Sequence, residues 1–204
     1  MKIVVLASGG IDSALMMSMF KDQGHEVFPL YINYDHLAEN KEWIACTKVC
    51  NKLGLEPFKM DIPGFGKLPS GLTQKELDVY EDAFLPTRNL TFLTLGSAYA
   101  YSKSADVVAI GLLSNPIFPD QTKEFIEKAQ ISISTALGKQ IQILTPLIDL
   151  DKRDVLKLAE DYDLAKITYY CHSGTEEPCG RCISCRERIS AEKSLGIKQL
   201  SGNN

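Results

Sequence analysis

The sequence predicts an α/β fold with a mostly parallel sheet covered by helices on both faces, and three observations carry that expectation. Strand-like and helix-like segments alternate through most of the 204 residues, which is the pattern of right-handed βαβ crossovers. A glycine turn, "SGGIDS", joins the first apolar run to the first helical stretch, and glycine admits the tight backbone such a junction needs. Four cysteines in "CHSGTEEPCGRCISC" set the C-terminal tail apart from the alternating body. The chain therefore divides into a Rossmann-like domain over residues 1–165 and a cysteine-bearing segment over 166–204.

Each element has its own signal. Lys2 to Ala7 is a β-branched and leucine run stopped by glycines, a short buried strand. Ala14 to Phe20 is rich in Leu, Met and Ala and reads as a helix, with Asp12 or Ser13 placed to cap it. "HEVFPLYINY" is a second strand ending near Tyr34, and Glu39 to Leu53 a helix with Trp43, Ile44, Thr47 and Cys50 on one side. "EPFKMDI" is a third strand, followed by a loop rich in Pro and Gly, "PGFGKLPSG". Asn89 is placed to cap the long helix "LTFLTLGSAYAYSKS", and "ADVVAIGLL" is the clearest buried strand. Thr122 to Leu137 is helical, "QIQILTPL" a short strand, Asp151 to Tyr162 a further helix, and the polar "SGNN" end a disordered tail. Ligands of a parallel sheet bind beyond the carboxyl ends of its strands, so a site is expected among loops 8–13, 33–41, 61–88 and 112–121.

Composition narrows the function classes. An apolar content of 45% with 24% charged residues is that of a soluble globular protein. No apolar stretch reaches the roughly 18 residues of a membrane span. The N-terminus enters a strand directly, without a signal-peptide cleavage site, which points to the cytoplasm. A net charge of −4, with no Lys/Arg cluster before residue 181, disfavours nucleic acid as the main partner.

A strand running through two glycines into a helix N-terminus builds an anion site, because backbone N–H groups and the helix dipole both face the ligand. Ser8, Gly9, Gly10, Ile11, Asp12 and Ser13 are the candidate phosphate-binding residues; the alternative is a structural turn that needs only glycine and a cap. The loop lacks the lysine and length of a Walker A motif and is not GxGxxG. In the tail, Cys171, Cys179, Cys182 and Cys185 suit tetrahedral zinc-thiolate ligation. Disulfides are disfavoured by a reducing compartment and by the short gaps. A ferredoxin-type cluster would place the fourth cysteine downstream, before a proline. A closed four-thiolate site leaves no open position and is structural; His172 could replace Cys171 in it. Cys46 and Cys50, one helical turn apart, read as small buried hydrophobes.

"SGGIDS" matches the SGGxDS loop of the N-type ATP pyrophosphatases. Together with C-x7-C-x2-C-x2-C at the other end, it makes the chain resemble the 7-cyano-7-deazaguanine synthase family of queuosine biosynthesis. "LPTRNLTFLTLGSAYA" is similar to that family's PxRN segment and helix, "GLLSNPIFPDQTKEFIEKA" to its "PD…EF" loop, and "TPLIDLDKRDVLKLAEDYDL" with "YYCHSG" to its TPL helix and cysteine entry. The resemblance implies an adenine nucleotide alpha hydrolase-like domain and cleavage of ATP between its α and β phosphates. It implies that the carboxylate of 7-carboxy-7-deazaguanine is adenylated and that ammonia displaces AMP to give an amide. A second adenylation then leaves the nitrile. ATP, Mg²⁺ and Zn²⁺ are the implied cofactors, and a homodimer the implied assembly. Carried over by position, Ser8, Gly9, Gly10 and Ser13 hold pyrophosphate, and Asp12 sits among phosphates beside Mg²⁺ or strong N–H donors. Arg88 and Asn89 line the ATP or acyl site, Tyr34 meets substrate, Asp120 faces the base, and Lys152 neutralises charge on phosphate. Asp12, Arg88 and Lys152 form the catalytic set. The plainer alternatives are a surface arginine, a helix-capping asparagine and an exposed helix lysine.

The resemblance breaks in two loops. Where the family reads "YGQRHxxE" this chain reads "YDHLAENKE", so Asp35 and His36 stand where glycine and glutamine are expected. After "PD" it has "QT" where the family has "CR", and residues 61–85 do not align. His36 could be a general base, a substrate contact or a solvated loop residue. These departures keep open a ligase that passes the adenylated carboxylate to another amine, a protein amine included. More distant alternatives are a tRNA-modifying adenylase and a non-catalytic nucleotide-binding module.

Overall fold

The apolar runs of the sequence become five strands: β1 (Lys2–Leu6), β2 (Glu26–Asn33), β3 (Phe58–Asp61), β4 (Val107–Ala109) and β5 (Gln142–Leu144). All pair in parallel in the order β3-β2-β1-β4-β5. The computed structural model describes residues 1–197; the "SGNN" tail lies outside the described residues.

Alternation along β1 sorts the helices into two layers. Ile3 and Val5 face α1 (Ile11–Asp22), α2 (Glu39–Leu53), α5 (Lys152–Glu160) and α6 (Ile183–Leu195). Val4 faces α3 (Arg88–Ser102) and α4 (Lys123–Leu137) across the sheet. Both faces are covered, which is why these strands read as continuous apolar runs rather than alternating ones. The strand order reverses direction between β1 and β4, and the loops after these two strands border the crevice that such a reversal leaves.

Four expectations change. Helix α1 begins three residues earlier than expected, at Ile11, after a Gly10 N-cap with no side-chain bond. Asp12 and Ser13 therefore lie inside the first turn, and the Ser13 hydroxyl donates back to Gly10 O at 3.1 Å. Helix α3 is entered through Thr87, not capped by Asn89. The buried face of α2 is Ala45, Cys46, Val49 and Cys50, while Ile44 is 50% exposed; small residues face inward because this helix packs directly against the glycine loop. Cys46 and Cys50 are fully buried, as expected of small hydrophobes.

The fourth change is α6, which the apolar pattern did not announce. Its sequence, "ISCRERISAEKSL", carries cysteines and charges at positions that break the stripe. The Cys182 sulfur caps it, accepting from Cys185 N at 3.4 Å. Arg188 and Glu192 pair one turn apart with side chains only 7% and 5% exposed, and Ala191 joins the core beneath α1 and α5. Among the described residues no helix is long and apolar enough to cross a membrane.

Candidate active site

A cavity of about 260 Å³ lies over the carboxyl ends of β1, β2 and β4. The glycine loop forms one end of it. Gly9 has φ +77°, and a Cβ there would stand 2.3 Å from Glu42 O and 2.8 Å from Cys46 N, so no other residue fits. Ser8 Oγ accepts from Gly10 N at 3.3 Å, and Ser13 Oγ accepts from Ser8 N at 3.3 Å. The two hydroxyls lie 3.4 Å apart. These bonds shape the loop as a cradle in front of the α1 N-terminus, a geometry in which peptide groups and the helix dipole suit an anion.

Across the loop stands a cation. Lys152, the first residue of α5, donates to both carboxylate oxygens of Asp12 at 2.8 and 2.7 Å, and its side chain is only 12% exposed. It is not an exposed helix lysine. Asp151 fixes its position by capping α5 with a reciprocal bond to Asp154. Gly111, after β4, lets this pair sit close, since a Cβ there would meet Asp12 Cβ at 3.2 Å.

The other end of the cavity is polar and assembled from distant segments. Tyr34, His36, Glu42, Arg88, Asn89 and His172 all line it. His36 is 7% exposed, not solvated: its Nε2 lies 2.8 Å from Glu42 Oε2, and its ring stacks on Tyr34 at 4.1 Å. Burial pushes the Tyr34 hydroxyl up to about 12, with Arg88 opposing through charge and a hydrogen bond. Burial pulls His172 down to about 4, against the charge of Glu42, so this imidazole is neutral near pH 7. Asp35 takes φ 59°, the left-handed conformation that glycine adopts freely and aspartate more readily than most residues. Its N–H is held by Asn33 Oδ1 at 3.0 Å. The departure from glycine at this position therefore keeps the turn and aims His36 inward.

Asp120 lines neither this cavity nor the smaller one beside it. Its Oδ2 accepts from Asn89 N at 3.2 Å and its carbonyl from Asn89 Nδ2 at 3.0 Å. The N-terminus of α3 needs an acceptor, and Asp120 supplies it. Arg88 and Asn89 themselves reach the cavity.

The four tail cysteines come together, all Sγ atoms within 4.8 Å of one another and none joined in a disulfide. A tetrahedral zinc with Zn–S of about 2.3 Å requires sulfur–sulfur edges of about 3.8 Å, and Cys179 and Cys185 stand at 3.9 Å. Backbone N–H groups of Cys179, Cys182 and Cys185 point at neighbouring sulfurs at 3.3–3.4 Å, the kind of outer hydrogen bonding that supports thiolate ligands. His172 lies outside this group and turns to the cavity. Tail and loop are joined directly, Tyr169 N donating to Gly9 O at 3.0 Å.

The family model described as queuosine biosynthesis protein QueC matches residues 2–196. The chain belongs to the QueC family. It is 32% identical to a 7-cyano-7-deazaguanine synthase of Nautilia profundicola, over 97% of this chain and 96% of that one. It is 35% identical to one of Caldicellulosiruptor saccharolyticus, over 97% and 93%. In fold it is similar to an NMN synthetase from Francisella tularensis (TM-score 0.58, 18% identity, 98% of this chain and 79% of that one). A 4-thiouridine synthetase solved with RNA and ATP is similar too (TM-score 0.54, 16% identity, 96% and 49%). Glu42 in the main cavity, His172 and Ser184 in both cavities and Glu187 in the smaller one are among the lining residues that sequence reasoning did not single out for the site. Glu42 was legible only as a helix residue, and Glu187 lies in the helix that the apolar pattern hid.

Proposed function

We propose that this QueC-family chain is a carbon–nitrogen ligase that adenylates the carboxylate of 7-carboxy-7-deazaguanine with ATP and joins ammonia to it. The Asp12–Lys152 pair facing the serine-lined glycine loop is the observation that carries this reading. A cradle of N–H groups beside a partly buried ammonium suits a leaving pyrophosphate, whose charge grows as the bond to the α-phosphate breaks. In the reaction, a carboxylate oxygen attacks the α-phosphorus, and pyrophosphate departs into Ser8, Gly9, Gly10 and Ser13. Lys152 and Arg88 hold the negative charge on the phosphates, and Arg88 with Asn89 keeps the acyl group facing them. Ammonia then attacks the acyl carbon, AMP leaves, and an amide forms. Adenylation of the amide oxygen by a second ATP and loss of AMP give the nitrile.

Magnesium bound with ATP would neutralise phosphate charge, and Asp12, a hard-oxygen donor in the first turn of α1, is the residue that would hold it. Cys171, Cys179, Cys182 and Cys185 would hold zinc, whose contribution is to fix the tail over the glycine loop. Mass spectrometry of products formed from ATP, Mg²⁺, ammonium and 7-carboxy-7-deazaguanine tests the reading. The expected products are AMP, pyrophosphate and the 7-cyano base. Absence of any AMP that depends on this acid would end the proposal.

A further inference from the structure

Beside the main cavity lies a second one of about 160 Å³. The two share Asp12, Arg88, Lys152 and His172 as walls, so the second opens onto the same centre from the side of α6 and the 112–121 loop. Its own charged residue, absent from the first cavity, is Glu187. Asp12 is already neutralised by Lys152 through both oxygens, whereas Glu187 has no hydrogen-bond or ion-pair partner for its carboxylate among the described residues. The unpaired Glu187 carboxylate attracts a cation on its own side of this cavity, while Arg88 and Lys152 in the shared wall serve the phosphates. Ser184, one turn earlier on α6, lines both cavities and offers a hydroxyl between them.

We propose that this second cavity is the port and binding site of the amine co-substrate, taken up as ammonium or a small primary ammonium ion at Glu187. The proposal rests on the ligase reading above and adds the place where the nitrogen enters. Separation by charge is its physical content: anionic substrates enter over the glycine loop, and the cation enters from the carboxylate side. The volume is well above the ~10–15 Å³ that one water-sized molecule requires, so an amine larger than ammonia fits.

Steady-state kinetics with ATP, 7-carboxy-7-deazaguanine and varied ammonium tests it on wild type and Glu187→Gln, an isosteric change that removes only the charge. The KM for ammonium should rise about tenfold or more while the KM for ATP moves less than twofold. Methylammonium, once it has given up a proton to solvent, should act as the free amine in the wild type, displace AMP and give the N-methyl amide. Ser184→Ala, a milder change in the same wall, should raise the ammonium KM two- to fourfold, which guards against a Glu187 variant that fails to fold. An unchanged ammonium KM in Glu187→Gln would overturn the port. So would a joint rise in both KM values, because Glu187 would then be acting on the phosphates through Lys152. Failure of the ligase reading looks different: wild type would form no acid-dependent AMP at any ammonium concentration, and the port would fall with it.

Discussion

Ser8 and the four residues from Gly10 to Ser13 make one end of the cavity, whereas Tyr34, His36, Glu42, Arg88 and His172 come from four separate segments at the other. The first end is a property of backbone. A strand, a left-handed glycine and a helix N-terminus make it, and the chemistry needs N–H groups more than side chains. The second end is a property of packing, since its polar groups meet only because β2, α2, α3 and the tail converge there. The backbone-built end keeps the family's loop pattern unchanged, and the packed end is where the chain departs from it, at Asp35 and His36. A site made of local geometry has few solutions; one made of converging side chains can be altered one contact at a time.

The tail touches both ends, through Tyr169 on Gly9 and through His172 in the cavity, so disrupting it should erase the distinction. Cys182→Ala is expected to have the largest effect. It removes one thiolate and the cap of α6 together, and metal ligation in small sites contributes directly to folding. Purified variant should lose bound zinc, measured by elemental mass spectrometry, and melt at a much lower temperature with activity gone. Unchanged zinc stoichiometry would defeat the four-thiolate site.

Asp12→Ala should strike the loop end alone. AMP formation is expected to fall by roughly a thousandfold, the scale for removing an electrostatic contact from a phosphoryl centre. Metal content and far-ultraviolet circular dichroism should stay as in the wild type. Retained AMP formation would show that the loop end does not work as described.

The smallest effect belongs to the packed end. Tyr34 is held up to about 12 in the fold, against 10.0 for the free side chain. Between pH 10 and 12 the unfolded chain releases this proton while the folded one keeps it, so stability falls as pH rises through that window. Two units correspond to roughly 3 kcal/mol at most. Tyr34→Phe should flatten this part of the stability curve, measured by urea unfolding at pH 9, 10 and 11; an equal slope in both proteins would mean that Tyr34 is not the buried titrating group.

Much of this architecture could be read without coordinates. The parallel order of alternating elements, the glycine loop and the cysteine cluster were each legible, because β-branched runs, left-handed glycines and cysteine spacing act over a few neighbouring residues. Helix α6 was not legible, since its cysteines and its buried Arg188–Glu192 pair occupy positions where an apolar stripe would be sought. The contact of Asp120 with Asn89 at the N-terminus of α3 was not legible either, since it joins groups 31 positions apart.

By itself the sequence determined the fold class, the glycine loop at its place after β1 and the four cysteines of the tail, all of which depend on local backbone preference and short spacing. Only the tertiary structure decided that Lys152 lies on Asp12, 140 positions away in sequence, that Glu42 holds His36, and that Glu187 is left unpaired beside that centre. Such pairings are set by which helices share a face of the sheet and how closely they approach, and no local propensity encodes that distance.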